Sequence, residues 1–144
     1  MADRKIVRHF NWLDIPPDKK LDAATGWVKM DVRWVATKES CGTEFAVMGR
    51  TIFRPRLEGE SSKHDHHTHP NAEEIIHILR GTGRGLSGTE WFDLKAGDVL
   101  YVPKGDDHIV ENTSEVEPLE VIFVYAPGTN LQEAGYNPLG HGKK

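Results

Sequence analysis

Short extended runs separated by turn residues constrain the fold of this chain most strongly. Apolar residues alternate with polar ones from residue 27 to residue 35, which is the period of a half-buried strand. Glycine, proline and asparagine clusters separate the runs that follow, as in small β-sandwiches and barrels. The further runs that we interpret as strands cover residues 45–57, 74–79, 91–94, 99–102, 108–112 and 119–125. The pattern therefore predicts an all-β domain.

Helical signals are weak. Residues 11–26 are predicted to form a loop, because Pro16 and Pro17 cannot lie inside a helix. One short helix is expected over residues 130–134, where Asn130 is a suitable N-cap, Glu133 occupies the capping-box position and Gly135 can end the helix.

Composition narrows the class of protein. The 144 residues include 18 Lys or Arg and 22 Asp or Glu, so the net charge of −4 gives no sign of a nucleic-acid partner. No apolar run reaches the ~18 residues that a membrane span requires, and none resembles a secretory signal. Cys41 is the only cysteine, which excludes an intrachain disulfide. We expect a single-domain cytoplasmic protein with no membrane or nucleic-acid partner.

The histidines are the main candidates for metal binding. The chain has eight histidines, and four of them lie between residues 64 and 69. Because residues two apart on a strand share a face, His67 and His69 are expected to aim at one point. Glu74 follows after a Pro-Asn turn, and His108 can supply a third imidazole. Such a donor set suits divalent Mn, Fe, Co, Ni, Cu or Zn, and the lack of thiolates disfavours a closed structural zinc site.

Two spaced motifs give these residues a family resemblance. The pattern Gly97-x5-Pro103-x-Gly105-x2-His108-x3-Asn112 matches the second motif of the cupins at each defined position. The pattern His67-x-His69-x4-Glu74-x6-Gly81 matches the first cupin motif from its histidines onward.

The resemblance implies a jelly-roll-like double-stranded β-helix barrel, commonly dimeric, with a metal inside. The ligands it implies are His67, His69, Glu74 and His108. The barrel core is then expected at about residues 45–128, with N-terminal strands in an arm over 1–44 and a short tail over 126–144. The whole chain, 1–144, is treated as one cupin domain.

The first motif departs from the family pattern at its start. Seven residues separate Gly59 from His67, whereas the family has five between the corresponding glycine and histidine. A competing register uses His64 and His66 as the ligand pair. We prefer His67 and His69, since only that pair keeps four residues between the second histidine and the glutamate. His64 and His66 are then expected near the barrel entrance, either as plain loop residues or as acid–base groups that move protons.

Strand alternation predicts the directions in which Glu74 and its neighbours point. Glu74 shares parity with Ile76 and Ile78, so it is expected to point inward, where it is both a ligand and a catalytic candidate. His77 takes the opposite face and is interpreted as a packed or interface residue.

Candidate substrate contacts come from one arginine face and one phenol. Arg54 and Arg56 share parity with Arg50, and if that face points inward an arginine could hold a substrate carboxylate in a bidentate fork. If it points outward, these are solvated edge charges. Tyr101, like Phe123 and Tyr125, is interpreted as a core aromatic residue, with a phenol at the barrel mouth as the alternative.

The sequence leaves the reaction open between three classes. The first is an oxygenase or dioxygenase that binds a small oxygen-rich organic substrate at one divalent transition metal per chain (Fe, Mn, Ni, Cu or Zn). The second is a non-oxidative isomerase, lyase or decarboxylase that uses the metal as a Lewis acid. The third is a small-molecule-binding module without catalysis. A homodimer is expected, with the apolar run over residues 27–35 pairing across a two-fold axis.

Overall fold

The computed structural model describes residues 6–19, 30–59 and 66–138. These residues form ten strands and two four-residue helices, and a 3-10 turn over Trp12–Asp14 precedes them. Neither helix in this part of the chain is long enough to cross a membrane. The strands are β1 (Met30–Ala36), β2 (Val47–Phe53), β3 (His67–Thr68), β4 (Glu73–Arg80), β5 (Thr82–Ser87), β6 (Glu90–Lys95), β7 (Val99–Val102), β8 (His108–Asn112), β9 (Leu119–Ala126) and β10 (Asn137–Pro138); the helices are α1 (Lys38–Cys41) and α2 (Leu131–Ala134).

The strands form two five-stranded antiparallel sheets. One has the order β1-β2-β9-β4-β7 and the other has the order β10-β3-β8-β5-β6. Their inner faces pack together as expected from strand alternation, and β4 shows this most clearly. Glu74, Ile76 and Ile78 are buried, whereas the residues between them are exposed or half-buried, including His77. The predicted all-β, double-stranded β-helix fold is confirmed.

Strand β5 lies between two glycine turns, at Gly81 and Gly88, in a stretch that the sequence did not predict to be a strand. Its glycines allow close approach of neighbouring chain: a Cβ on Gly83 would lie 2.4 Å from the carbonyl oxygen of Glu111. A Cβ on Gly85 would lie 2.8 Å from Leu100. Gly83 and Gly85 are therefore packing residues of a central strand.

Strands β1 and β2 differ in detail from the predicted alternation. Val32 and Val35 are the buried residues of β1, because the pairing register with β2 shifts between Trp34 and Ala36. Residues 27–29 lie outside the described residues, and the dimer expected through residues 27–35 stays a prediction. β2 is shorter than the predicted run over 45–57, and both Phe45 and Leu57 are exposed.

The short C-terminal helix has the predicted capping. The Asn130 side chain accepts the backbone N–H of Glu133 at 2.9 Å, and the helix ends at Gly135, whose φ is 83°. The Glu133 carboxylate accepts from the backbone N–H of Thr129 at 3.0 Å, which is one residue before the N-cap. This helix fixes the direction in which the tail returns to the barrel.

The N-terminal segment packs against strands β1 and β2. Trp34 Nε1 donates to Asp18 at 2.7 Å, and Arg33 donates to the carbonyl oxygen of Ile15 at 3.1 Å. The Arg50 guanidinium lies 4.9 Å from the centroid of the Trp12 ring. Arg50 therefore faces this segment and points away from the barrel interior.

Arg50 also belongs to a buried ion cluster. It pairs with Glu120 on β9, and Arg80 donates to the same carboxylate at 2.8 Å. Burial acts to raise the pKa of Glu120, but the hydrogen bonds from Arg80 and Arg50 outweigh it, so the pKa lies below its usual value. Because the folded-state pKa is lower than the unfolded one, the ionised carboxylate stabilises the fold above the unfolded pKa. This contribution is lost as the pH falls through the folded pKa.

Glu120→Gln is therefore expected to destabilise the protein by about 1.5–3 kcal/mol at pH 7, because it removes a charged acceptor from two arginines. The deficit should narrow below about pH 4.3, the ordinary pKa of glutamate, because the unfolded chain takes up a proton there before the folded carboxylate does. Urea unfolding at pH 7 and pH 3 measures both values, with the exposed Glu115→Gln as the control. A deficit that is the same at both pH values would contradict this account of the cluster.

A second prediction concerns the packing of the Phe123 ring against Gly49. It pairs with Phe123 across β2 and β9, and a Cβ added to it would lie 2.1 Å from Phe123 Cζ. Gly49→Ala must displace that ring, which we expect to cost about 1–3 kcal/mol of unfolding free energy.

The control for this prediction is Gly97→Ala. Gly97 has a φ of 95° but no heavy atom within 4 Å of an added Cβ, so only backbone strain of about 1–2 kcal/mol applies there. Thermal and urea unfolding compare the two variants, with near-ultraviolet circular dichroism as a probe of aromatic packing. Only Gly49→Ala should change the aromatic signal, and an unchanged signal in that variant would show that Phe123 does not depend on Gly49.

Candidate metal centre

Four side chains from both sheets converge at one end of the barrel interior. Each of His67, His69, Glu74 and His108 offers one donor atom, and these atoms all lie within 4.8 Å of one another. Glu74 Oε1 is 2.8 Å from His108 Nε2 and 3.6 Å from His69 Nε2. The structure thus brings together the four residues of the preferred register.

Strand pairing explains the convergence. His67 on β3 lies directly opposite His108 on β8, and their ring centroids are 4.1 Å apart. His69 follows β3 on the same face as His67, at 5.0 Å between ring centroids. Glu74 comes from the inner face of β4 in the other sheet, after the turn that contains Pro70. The site therefore forms only where the two sheets meet.

Backbone carbonyls hold two of the imidazoles in one tautomer. His69 Nδ1 donates to the carbonyl oxygen of Gly135 at 2.6 Å, and His108 Nδ1 donates to that of Asp106 at 3.2 Å. A carbonyl oxygen only accepts, so the proton of each neutral ring is on Nδ1 and the lone pair is on Nε2. Such an outer hydrogen bond is the usual orientation device for a metal-binding histidine.

The facing atoms lack hydrogen-bond partners of their own. Glu74 Oε1 and His108 Nε2 are buried and 2.8 Å apart, and neither has any further hydrogen-bond partner among the described residues. Burial lowers the pKa of His69, which favours its neutral, ligating form. Burial acts in the same direction on His108, but the Glu74 carboxylate outweighs it and raises the pKa of that residue. A buried carboxylate oxygen that faces imidazole nitrogens and has no other partner among the described residues fits a divalent cation.

A cavity of about 60 Å³ adjoins these donors. Beyond the four donors, its wall is mostly apolar and aromatic. The other lining residues are Met30, Trp34, Thr51, Phe53, Ile76, Ile109, Val110, Val121, Phe123 and Tyr125.

The cavity wall contains a tyrosine that the sequence analysis interpreted as a core aromatic residue, with a phenol at the barrel mouth as the alternative. Tyr125 is 2% exposed, and its hydroxyl has no hydrogen-bond partner within the described ranges. Leaving such a group unsatisfied costs about 1–3 kcal/mol. The sequence offers no signal for it, because an inward tyrosine on a strand looks like any other core aromatic residue.

The C-terminal tail covers another side of the site. β10 pairs with β3, and the Tyr136 ring stacks on His67 with 4.9 Å between centroids. Together with the Gly135 carbonyl, these contacts place residues 135–138 against the histidines. The sequence motifs end before this segment and left its position open.

His66, one of the two histidines proposed for proton transfer, is not part of this cluster. His66 lies outside the cavity lining: its Nδ1 is 3.3 Å from Asp107 Oδ2, and its ring packs edge-on to Trp91 at 6.0 Å. Strand alternation turns it away from His67 and His69. His64 lies outside the described residues. The catalytic role of both residues stays a prediction, to which the position of His66 gives no support.

The three predicted substrate contacts also lie away from the described cavity wall. Arg54 is half-buried and donates to the carbonyl oxygen of Pro55 at 3.1 Å, whereas Arg56 is exposed. Tyr101 is 51% exposed, and its hydroxyl donates to Glu73 at 2.7 Å. The interpretation of Tyr101 as a core residue is wrong, because Leu100 and Val102 take the inner face of β7. Substrate contact by these three residues stays a prediction without support from this geometry.

Metal content tests the centre directly. We expect near-stoichiometric transition metal in protein purified without chelator and almost none in His69→Ala, because one of four ligands and its orienting hydrogen bond are lost. Elemental analysis measures this, and circular dichroism checks the fold.

The matched control is His77→Ala, which removes a half-buried histidine from the opposite face of β4. It should retain the metal. Retention in His69→Ala together with loss in His66→Ala would show that the ligand register is wrong.

Comparisons with known proteins agree with this architecture. Residues 56–125 match the family model described as a cupin domain. An uncharacterized protein of Methanocaldococcus jannaschii is 39% identical over 61 residues, which cover 42% of this chain and 48% of that protein. The chain thus matches about half the length of that relative. An oxalate-binding protein of Thermotoga maritima is 26% identical over 113 residues, which cover 77% of this chain and 89% of that protein.

A solved structure has the same fold. The crystal structure of a predicted oxalate decarboxylase from Thermotoga maritima superposes with a TM-score of 0.65 at 21% identity, covering 84% of this chain and 100% of that one. Together with the family match and the three-histidine, one-glutamate donor set, this likeness supports one assignment. The chain contains a cupin domain, and four of its side chains form a set of three histidines and one glutamate that can hold a metal ion.

Proposed function

We propose that this cupin is a metal-dependent enzyme that acts on a small, oxygen-rich organic substrate, and that its reaction is an O₂-dependent oxygenation. The observation that carries the proposal is the position of four metal donors at one end of a small, mostly apolar cavity. Four protein ligands leave coordination positions open on a metal that prefers five or six. A bound divalent transition metal would supply Lewis acidity and, for Fe, Mn, Ni or Cu, electron exchange with O₂.

The residues of this chain bind and orient the substrate. Side chains such as Met30, Phe53 and Val121 form a wall that can take the apolar body of the substrate and exclude water. The carbonyls of Gly135 and Asp106 keep the imidazoles of His69 and His108 in fixed orientations, so the donors need no reorganisation when the substrate binds.

The distribution of charge along the cavity favours substrates that chelate. The described lining contains no Lys or Arg, so its charged and ionisable groups are all at the donor end. A substrate with two adjacent oxygens and an apolar remainder, such as an enediol, a catechol or a β-diketone, matches this arrangement.

Oxygen uptake tests the reaction class. With the metal-loaded protein and a panel of catechols, enediols and β-diketones, we expect O₂ consumption that parallels substrate loss. Both should be absent in His69→Ala, which has lost a donor. Turnover at the same rate under argon would exclude an oxygenase.

A non-oxidative lyase or decarboxylase is the second candidate. Similarity to the oxalate-binding protein supports oxalate, a small chelating dicarboxylate, as the ligand for this candidate, and the fold shared with the predicted oxalate decarboxylase supports the reaction. If this candidate is right, we expect the metal-loaded protein to release CO₂ from oxalate under argon. Oxalate binding without conversion under either atmosphere would instead indicate a binding module.

A further inference from the structure

We propose that the Tyr125 phenol is the second polar anchor of the substrate site and donates its O–H to an oxygen of the molecule held at the metal centre. This inference rests on the proposed function, because it requires that a small oxygen-containing molecule occupies the cavity. It concerns a residue outside the two motifs that identify the donors.

Strand register places Tyr125 beside the donors. It lies directly opposite Glu74 in the pairing of β9 with β4, and both side chains point to the inner face. Directly opposed residues have Cβ atoms about 4.5–5.5 Å apart, so the two side chains are neighbours in the barrel. The Tyr125 ring also packs on His69 at 4.7 Å between centroids.

The hydroxyl makes no contribution to the packing that surrounds it. The aromatic neighbours of the Tyr125 ring include Phe123 at 5.4 Å and Trp34 at 6.4 Å, and a phenylalanine would make the same ring contacts. The oxygen is buried without a hydrogen-bond partner among the residues that the structure describes, and the residue lines the cavity. A buried polar group that is unsatisfied in the protein alone is explained if a ligand satisfies it.

The chemistry of the Tyr125 phenol defines which ligands it can bind. A tyrosine phenol is uncharged at neutral pH and carries one O–H donor. It pairs with an acceptor oxygen next to the chelating ones, as in a carboxylate, an enolate or a catecholate. Because no Lys or Arg is on the described lining, this donor can distinguish such ligands from purely apolar ones without adding charge.

Tyr125→Phe tests the inference, because it removes one oxygen and leaves the ring. Wild type and variant are loaded with the same metal, and metal content is measured first. Binding of 4-nitrocatechol is then followed by its absorbance change, and binding of oxalate by calorimetry. The variant should keep its metal, bind at least one of the two probes about tenfold more weakly, and melt at the same or a higher temperature.

Tyr101→Phe is the comparison, since it removes a phenol that faces solvent and bonds to Glu73. Weakened binding confined to Tyr125→Phe supports the proposal. The proposal for Tyr125 is overturned if wild type and Tyr125→Phe bind both probes with equal affinity. It is also overturned if probe binding is weakened only in Tyr101→Phe. Either result leaves the proposed function unaffected. Loss of metal from Tyr125→Phe also overturns it, because the residue would then support the metal site itself. If neither probe binds to the metal-loaded wild type, the proposed function fails and this inference fails with it.

Discussion

The buried carboxylate of Glu74 is the constraint on which the rest of the interior depends. A carboxylate that is only 5% exposed is unfavourable unless a positive charge or directed hydrogen bonds compensate it. Its neighbours here are imidazoles, two of which have their N–H groups committed to backbone carbonyls. The group therefore fits the fold as part of a cation site, and the apolar residues around it keep water away from that site.

Because the donors come from different sheets, the site and the fold depend on each other. Three histidines belong to or follow strands β3 and β8, while the glutamate belongs to β4 in the opposing sheet. The tail adds a contact from far along the chain, since Gly135 orients His69 across 66 residues of sequence. Glycines assist this convergence: Gly49 allows the Phe123 ring to lie flat against β2, and Gly85 allows β5 to approach Leu100. Small residues on strands thus determine where the aromatic wall of the cavity lies.

Particular residues show which structural features the sequence predicts and which it does not. The strand runs, the inward face of Glu74, Ile76 and Ile78, and the capped helix at residues 131–134 all follow from local periodicity, and the structure has them. β5 was missed because glycine has the same appearance in a turn and in a crowded strand. Alternation along β2 does not show whether the Arg50 side chain points into the barrel or away from it. Its outward direction is set by contacts with Glu120 and Trp12, which lie far away in sequence.

The sequence by itself determined the all-β class, because alternation with a period of two follows from backbone geometry. It also determined the candidate metal donors, because their spacing is that of the two cupin motifs. Only the tertiary structure decided which other groups line the cavity. Tyr101 and Tyr125 are both aromatic residues on strands, yet one faces solvent and the other lies opposite Glu74. That difference arises from strand pairing between distant segments, since register sets which face of each strand is covered by the opposite sheet.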